Sequence, residues 1–375
     1  MARVNEKIRQ LFNKYSLAEI RRMVTENEKY LSPGTLLFGF IIDSLTLTRA
    51  DVWLDNLILL SYLALAGAAI MLINAEVSGK LENLRFRKVV LWFPFVLQFA
   101  FGGLFSGFII LYSRSASIIT SWPFLLVLAF LLVGNEFFRN RYYRLAFQIG
   151  IYFVAILSYL TFAIPVLLDQ IGPGIFLIST VMASALILII INILRKIAPE
   201  IFKTHRPDVI RLIVIILTTF NLLYFANIIP PIPLALKEII IAHDIGRSGN
   251  NYLISYEPPR WYHFFWSYDR TFHRANNKPV YAFSLVYAPT NIKTVITHEW
   301  SRYDEKFNKW MVLSRLNFSI SGGREEGFHG YSYKTNLQDG KWRVAVKTAT
   351  GQILGRTTFV VQTTESPSNI RIEMR

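Results

Sequence analysis

Long apolar runs separated by short polar segments make up most of the first 229 residues. A helix needs about 20 residues to cross the ~30 Å hydrocarbon core of a bilayer, so runs of this length with few charges predict membrane spans. Six spans are clear: Val52–Ala75, Val89–Tyr112, Trp122–Phe138, Leu145–Leu168, Gly174–Leu194 and Val209–Ile229. A seventh candidate, Pro33–Leu47, is short and carries Asp43, and the sequence leaves open whether it crosses the membrane fully.

The pattern changes to period-two alternation in the C-terminal part of the chain, as is typical of half-buried strands. In Lys341–Thr348, Trp342 and Val344 face one way while Arg343 and Lys347 face the other. About 130 residues with six or seven short strands predict an all-β, immunoglobulin-like sandwich with Trp342 in its core. The candidate strands are Val280–Tyr287, Lys293–Trp300, Trp310–Ile320, Phe328–Lys334, Lys341–Thr348 and Gln352–Val361.

A predicted hairpin places several cations together. If Thr350–Gly351 forms a two-residue turn, Ala345 lies opposite Arg356, and Arg343, Lys347 and Arg356 share one exposed face. From residue 246 onward the chain has 18 Lys plus Arg against 10 Asp plus Glu. A basic face of this kind suggests an anionic envelope polymer or lipid headgroups as partners, and a merely solvated basic surface is the plain alternative.

Four parts of the chain follow from these patterns. Residues 1–30 are predicted to form amphipathic cytoplasmic helices, and residues 31–229 a membrane domain with about seven spans. Prolines punctuate residues 230–245, which are interpreted as a linker and an interfacial helix. Residues 246–375 are predicted to be an extracytoplasmic β-sandwich.

The charges of the connecting segments predict the orientation in the membrane. Basic residues concentrate after every second span, and cytoplasmic loops carry the excess of Lys and Arg. A cytoplasmic N-terminus and a C-terminal domain outside the membrane satisfy this rule. The basic segments contain Lys80, Arg85, Arg87 and Lys88; Arg139, Arg141 and Arg144; and Arg195, Lys196, Lys203 and Arg206.

Composition supports a membrane protein and provides no signature of catalysis. Apolar residues make up 53% of the chain, charged residues 17%, and there are no cysteines. Disulfides and zinc–sulfur sites are therefore excluded. The catalytic and nucleotide-binding motifs that short sequence signatures reveal are missing. No metal, cofactor or nucleic acid is predicted.

The segment Leu111–Leu126 holds the candidate anion site. In the structural interpretation it is a turn between two helices, in which Arg114 bonds the last carbonyls of the preceding helix and Ser121 caps the next. Alternatively, the Arg114 guanidinium, nearby hydroxyls and free helix N–H groups converge on a phosphate or carboxylate. The helix turn alone explains every residue and is favoured. The hydroxyl groups of the candidate site are those of Ser113, Ser115, Ser117 and Ser121.

Two acidic residues stand out within the predicted membrane domain. Asp43 and Glu136 are candidates because a charge at membrane depth is costly unless it has a partner. Glu136 lies near the cytoplasmic end of its span, within a helical turn of Arg139. Gly103 and Gly107 have the small-xxx-small spacing of a helix-packing surface.

Several motifs of the C-terminal domain resemble a known family. His298-Glu299-Trp300 is the one segment with acid–base potential, but His298 shares a strand face with Trp300, so a packed, hydrogen-bonded histidine is expected. Together with Tyr331–Lys334, Gly340–Val344 and Gly351–Val360, this segment resembles the bacterial domain-of-unknown-function family numbered 2914. The resemblance implies a bacterial membrane location and no established activity.

The sequence therefore predicts a non-enzymatic protein of the bacterial cytoplasmic membrane. Its external β-sandwich would serve binding or cell-envelope assembly, with membrane lipids and either an anionic envelope polymer or another membrane protein as partners. A transporter or a lipid-linked glycan enzyme that uses Asp43 and Arg114 is the alternative, and a purely structural subunit is a third. The ligand and the oligomeric state cannot be derived from the sequence.

Overall fold

A computed structural model describes residues 40–47, 52–81, 93–115, 118–137, 144–231, 233–249, 251–259, 268–275, 278–288, 292–321, 327–365 and 370–375. Within them, a helical N-terminal part is followed by two β-sheets, which confirms the predicted fold class. The predicted helices of residues 1–30 lie outside the described residues. The seventh candidate span is described only from residue 40, and residues 40–46 are helical.

In the described ranges that follow this segment there are six long helices. Five of them, α1, α2 and α4 to α6, are long and apolar enough to cross a membrane, and α3 has a shorter apolar stretch, Ser121–Asn135. The helices are α1 (Trp53–Val77), α2 (Phe93–Ser115), α3 (Ile118–Phe137), α4 (Leu145–Leu168), α5 (Pro173–Ile197) and α6 (Pro199–Phe225).

The last helix corrects the predicted span Val209–Ile229. It begins ten residues earlier, at Pro199, and ends at Phe225. Charged residues such as Lys203, and a proline at position 207, made residues 199–208 look like a loop. Instead they form the polar first turns of α6, because Pro199 suits the first position of a helix and Pro207 is tolerated inside it.

Glycines set the contact between α1 and α2. A Cβ atom on Gly107 would lie 2.7 Å from Leu59 of α1, and one on Gly103 would lie 2.6 Å from the Tyr62 ring. The two helices therefore approach closely only because these positions lack side chains. This confirms the helix-packing role predicted from the spacing of the two glycines.

Within the described residues, ten strands form two five-stranded sheets that pack face to face. The first sheet has the order β10-β2-β1-β4-β7 and the second β3-β9-β8-β5-β6, with β3 parallel to β9. Trp300 and Trp342 lie in the core between them, as predicted for Trp342. The strands are β1 (Ala235–Ser248), β2 (Asn251–Tyr256), β3 (Thr271–Ala275), β4 (Val280–Tyr287), β5 (Lys293–Asp304), β6 (Lys309–Ser321), β7 (Phe328–Lys334), β8 (Gly340–Thr348), β9 (Ile353–Thr364) and β10 (Arg371–Met374).

The first strand overturns the predicted interfacial helix within residues 230–245. Ala235–Ser248 is β1, a central strand of the first sheet, so the sandwich begins about ten residues before position 246. Ile240, Ile241 and Ala242 are all buried. Because consecutive residues are buried on both faces of this strand, the alternation that would have identified it is lost.

The β8–β9 hairpin has the predicted pairing with a different turn. Ala345 lies opposite Arg356, as expected, but a bulge follows Val346 and the loop is Ala349–Gly351. Gly351 has φ 85°, which suits glycine and is the left-handed position of a three-residue hairpin loop. The bulge compensates for the extra loop residue, so the predicted face is preserved.

The sandwich meets the helices at one end of the helical bundle. Ile171, in the α4–α5 connection, packs against the sandwich cluster that contains Leu354, and Pro231 follows the end of α6. At the opposite end, Lys80 Nζ donates to the Lys196 carbonyl oxygen at 2.6 Å. The basic segments after α1 and α5 therefore lie at the end of the bundle away from the sandwich.

Candidate functional site

The Arg114 segment has the contacts of a structural anchor. Arg114 Nη2 donates to the carbonyl oxygen of Ser44, in the helical segment 40–46, at 3.2 Å. The hydroxyl of Ser113 donates to the Ile110 carbonyl oxygen at 3.0 Å, and the Ser115 side chain is buried. These contacts bind the segment to its own helices, although Arg114 uses a different carbonyl from those predicted. An anion site here stays a prediction.

Ser121 does not cap a helix. The structure begins α3 at Ile118, so Ser121 lies inside the helix, where it is buried. Ser117 lies outside the described residues. The predicted group of hydroxyls is therefore divided between the ends of two helices.

Of the two acidic candidates in the membrane domain, the structure describes the side chain of Asp43 but not that of Glu136. The Asp43 side chain lies within electrostatic range of Ser106 of α2 and Tyr62 of α1. Asp43 thus takes part in the packing of segment 40–46 on the first two helices. Glu136 belongs to α3, but its side chain lies outside the described residues.

The second sheet carries the predicted basic residues on its outward side. Arg343 and Lys347 project from β8, and Arg356 projects from β9 opposite Ala345. On strands β5, β6, β8 and β9, all of which the structure describes, Glu299 is the single outward carboxylate. We call the outward side of this sheet the cationic face, comprising Arg315, Lys341, Arg343, Lys347 and Arg356 with Tyr303 and Trp310.

Glu299 neutralises one half of the cationic face. It accepts hydrogen bonds from Lys347 Nζ at 2.6 Å and from Arg315 Nε at 2.8 Å. Burial alone would raise the pKa of Glu299, but the two cationic donors outweigh it, and the pKa is lowered. Lys347 therefore lies on the predicted face but forms an ion pair with Glu299 there.

In the other half of the cationic face, the cations have no acidic partner among the residues that the structure describes. The Arg343 guanidinium lies over the Trp310 ring, 3.7 Å from its centroid, and Lys341 Nζ lies 5.6 Å from the Tyr303 ring centroid. No salt bridge reaches Arg343 or Arg356 from the described part of the chain. Burial and then the Arg356 charge lower the pKa of Arg343. The two residues are diagonal neighbours on adjacent strands, because Arg343 pairs with Thr358 and Arg356 pairs with Ala345. The two aromatic residues were missed from the sequence because their partners come from β8.

His298 forms a buried network between the sheets. Its Nε2 atom lies 2.8 Å from Ser284 Oγ, its Nδ1 atom lies 2.8 Å from Ser332 Oγ, and Trp300 Nε1 donates to Ser332 Oγ at 3.0 Å. The Ser284 hydroxyl is also directed to the Gly330 carbonyl oxygen, at 3.4 Å. Every polar hydrogen of this network donates a hydrogen bond if Nε2 carries the imidazole hydrogen and the Ser332 hydroxyl donates to Nδ1.

This network confirms the prediction of a packed histidine. The Ser284–His298 distance matches that of a nucleophile and its base. However, His298 and Ser284 are both 0% exposed, so no substrate reaches either of them. Burial lowers the pKa of His298 to about 4, which keeps the imidazole neutral. The role of the network is to join the two sheets.

A second buried network was not foreseen from the sequence. Glu257 accepts from His243 Nε2 at 2.9 Å and from His273 Nδ1 at 2.7 Å, and the His273 backbone N–H donates to it at 2.8 Å. Burial opposes ionisation, but these donors prevail and lower the pKa of Glu257. The three residues lie on different parts of the chain, and no local spacing connects them. No group of metal-binding side chains occurs among the described residues.

Together, the helices and the sandwich define a multi-span membrane protein with a folded β domain at one end of its helical bundle. Residues 293–361 match the family model described as Protein of unknown function (DUF2914). This confirms the resemblance for the C-terminal region. The match runs from β5 into β9 and includes His298, Trp300, Ser332 and the cations of the cationic face.

Other comparisons add no functional information. No curated protein matches the chain. A mutant β-glucosidase from Listeria innocua in complex with laminaribiose is 11% identical over 31% of this chain and 17% of its own, with a TM-score of 0.19. An alkylpurine DNA glycosylase from Pseudomonas fluorescens bound to DNA is 11% identical over 84% of this chain and 99% of its own, with a TM-score of 0.20. Similarities of this size support no conclusion about fold or activity.

Proposed function

We propose that this protein is a non-enzymatic membrane protein that presents its β-sandwich outside the cytoplasmic membrane, where the cationic face binds an anionic envelope polymer. The observation that carries the proposal is the pair Arg343 and Arg356, diagonal neighbours on adjacent strands of an outward sheet surface, with no acidic partner in the described residues. Two cations at short range repel one another and gain free energy when an anion lies between them.

The aromatic residues of the cationic face favour a polymer of sugars or sugar phosphates over a free ion. Trp310 and Tyr303 have ring centroids 5.2 Å apart and hold Arg343 and Lys341 by cation–π contacts. Rings in this arrangement fix the cations and add flat apolar surface beside them. A chain with regularly spaced acidic groups can contact several cations along the strands at once.

Binding can be measured with the full chain in detergent micelles. Fluorescent alginate, a linear polymer of acidic sugars, is titrated with the protein, and polyethylene glycol of similar length serves as the uncharged comparison. We expect binding that weakens with added salt, because exposed charges are screened over about 10 Å at 0.1 M salt. The Arg343→Ala/Arg356→Ala variant should bind at least about tenfold more weakly, since charge-assisted hydrogen bonds are lost.

A matched variant tests whether net charge alone explains binding. Arg247→Ala/Lys278→Ala removes two exposed cations away from the cationic face and lowers the net charge equally. It should change alginate binding by less than about twofold, because only local charge is involved. Equal weakening by both double variants, or no binding of alginate to the natural chain, would contradict the proposal.

A further inference from the structure

Four tyrosines converge on the outward side of the first sheet. Tyr281 of β4 and Tyr333 of β7 are cross-strand partners with ring centroids 5.6 Å apart. Tyr331 of β7 lies 6.3 Å from Tyr281 and 5.9 Å from Tyr252 of β2. The rings form one continuous aromatic patch, built from three strands. We call Tyr252, Tyr281, Tyr331 and Tyr333 the tyrosine surface.

Two of the four rings of the tyrosine surface are exposed, and the other two, those of Tyr252 and Tyr281, are half-buried. Tyr331 is 43% exposed and Tyr333 is 57% exposed, whereas Phe283 beside them is completely buried. The Phe283 ring lies 6.1 Å from the Tyr252 ring and supports the patch from below. The tyrosine surface is therefore packed on a buried ring on one side, and Tyr331 and Tyr333 are exposed to solvent on the other. A contiguous aromatic patch with such exposure marks a binding surface more often than a single exposed ring does.

The hydrogen bonding of their phenol groups distinguishes these four tyrosines from Tyr256 and Tyr268, which are buried. Tyr256 donates to Glu373 Oε2 at 2.8 Å, and the Tyr268 hydroxyl is hydrogen-bonded to Thr357. Buried tyrosines normally find such a partner. None of the four phenol groups of the tyrosine surface has a hydrogen-bond partner among the described residues. Within this part of the molecule, the exposed hydroxyls of Tyr331 and Tyr333 therefore keep their capacity to bond a ligand.

We propose that the tyrosine surface binds a neutral saccharide. Sugar rings combine an apolar C–H side with a rim of hydroxyl groups, and the exposed ring faces and free phenols of Tyr331 and Tyr333 complement both. Asp244 lies within electrostatic range of Tyr281 and adds negative charge to the surroundings. Arg247, the exposed cross-strand partner of Tyr252, balances that charge, so a neutral ligand suits this surface better than the charged ligand proposed for the cationic face on the other sheet.

The position of the surface argues against a membrane-interface role. Phe328, at the start of β7, packs in the sandwich cluster that also contacts Ile171 of the helical part. Tyr333 follows five residues later on the same strand, which places it about 17 Å further along the strand from that cluster. Tyrosines that anchor a protein in lipid headgroups lie next to the spans.

The full chain in detergent micelles provides the test. Chitohexaose, cellohexaose and maltohexaose, three neutral hexasaccharides, are titrated against it by calorimetry. At least one should bind, and Tyr331→Ala and Tyr333→Ala should each weaken that binding by about fivefold or more through lost ring contact. Tyr331→Phe keeps the ring and should have an intermediate effect. Phe307→Ala removes a 68% exposed ring elsewhere on the sandwich and should have no effect.

Two further measurements separate this proposal from its alternatives. The Arg343→Ala/Arg356→Ala variant should bind the neutral saccharide as the natural chain does, so a failure of the cationic face leaves this test intact. Vesicles of phosphatidylcholine should not be bound through Tyr331 or Tyr333. The proposal is overturned if none of the three saccharides binds, if Phe307→Ala weakens binding as much as Tyr331→Ala, or if vesicle binding depends on the tyrosines.

Discussion

Trp300 and Ser332 are joined across the two sheets of the sandwich. The indole N–H of Trp300, on β5, donates to Ser332 Oγ, on β7, at 3.0 Å, and Trp300 is completely buried. The same hydroxyl lies 2.8 Å from His298 Nδ1. One serine thus satisfies two buried polar groups of the opposite sheet, which explains why serine and histidine occupy these core positions.

Replacing this serine should destabilise the sandwich strongly. In Ser332→Ala, the Trp300 N–H and the His298 Nδ1 atom both lose their partner, and each unsatisfied buried group costs about 1–3 kcal/mol. We expect a loss of about 2–4 kcal/mol in the free energy of unfolding, measured by urea-dependent hydrogen exchange of β5 and β8 peptides. Ser319→Ala, at an exposed position of β6, is the control and should change the free energy by less than about 0.5 kcal/mol. Similar effects of both substitutions would show that the hydrogen bonds of Ser332 do not add to the free energy of unfolding.

The buried histidine should make the sandwich sensitive to mild acid. Its pKa is lowered from 6.5 to about 4 in the folded protein, so the unfolded chain binds a proton first as the pH falls. The stability contributed by neutral His298 is complete above pH 6.5 and is lost progressively down to about pH 4. The loss should be about 3 kcal/mol, since one pKa unit corresponds to about 1.4 kcal/mol.

The His298→Gln variant isolates this effect. Glutamine can donate and accept a hydrogen bond but does not titrate, so the difference in stability between the natural chain and the variant should shrink between pH 7 and pH 5. Hydrogen exchange of the same peptides at each pH gives the two curves. Parallel curves would mean that another group controls the response to acid.

The helices α1 and α2 pack so closely that a methyl group at position 107 should push them apart. A Cβ atom there would lie 2.7 Å from the buried Leu59 side chain. Gly107→Ala should therefore lower the thermal unfolding temperature in detergent, although alanine normally favours helices by about 1 kcal/mol over glycine. Gly102→Ala is the matched control, because its nearest neighbour would be 3.4 Å away. An equal or raised temperature for Gly107→Ala would contradict the proposed packing.

Helices and strands could be predicted from the sequence where only one of their faces is buried, and were missed where both faces are buried or the element is short. The bounds of β4 and β7 were predicted correctly, as were those of α4. β1 was mistaken for an interfacial helix because its buried centre, Ile240–Ala242, shows no alternation. The start of α6 was missed because Lys203 and Pro207 resemble loop residues when the helical context is unknown. The short strands β2, β3 and β10 carry too few residues for a recognisable period.

The candidate sites show a similar limit. The hairpin pairing placed Arg343 and Arg356 on one face, because a turn fixes the register of the strands beside it. The partners of His298 were not predictable, since Ser284 and Ser332 are distant in the sequence and meet it only after the sheets pack. The tyrosine surface was missed for the same reason.

The position of the sandwich relative to the membrane can be measured most directly by thiol labelling. The chain has no cysteine, so Ser319→Cys on β6 and Lys203→Cys on α6 each provide one exposed thiol, at opposite ends of the molecule. Each variant is produced in bacterial spheroplasts and treated with a maleimide that cannot cross membranes. We expect labelling of Ser319→Cys in intact spheroplasts and labelling of Lys203→Cys only after lysis. The reverse pattern would place the sandwich in the cytoplasm and contradict its proposed role outside the membrane.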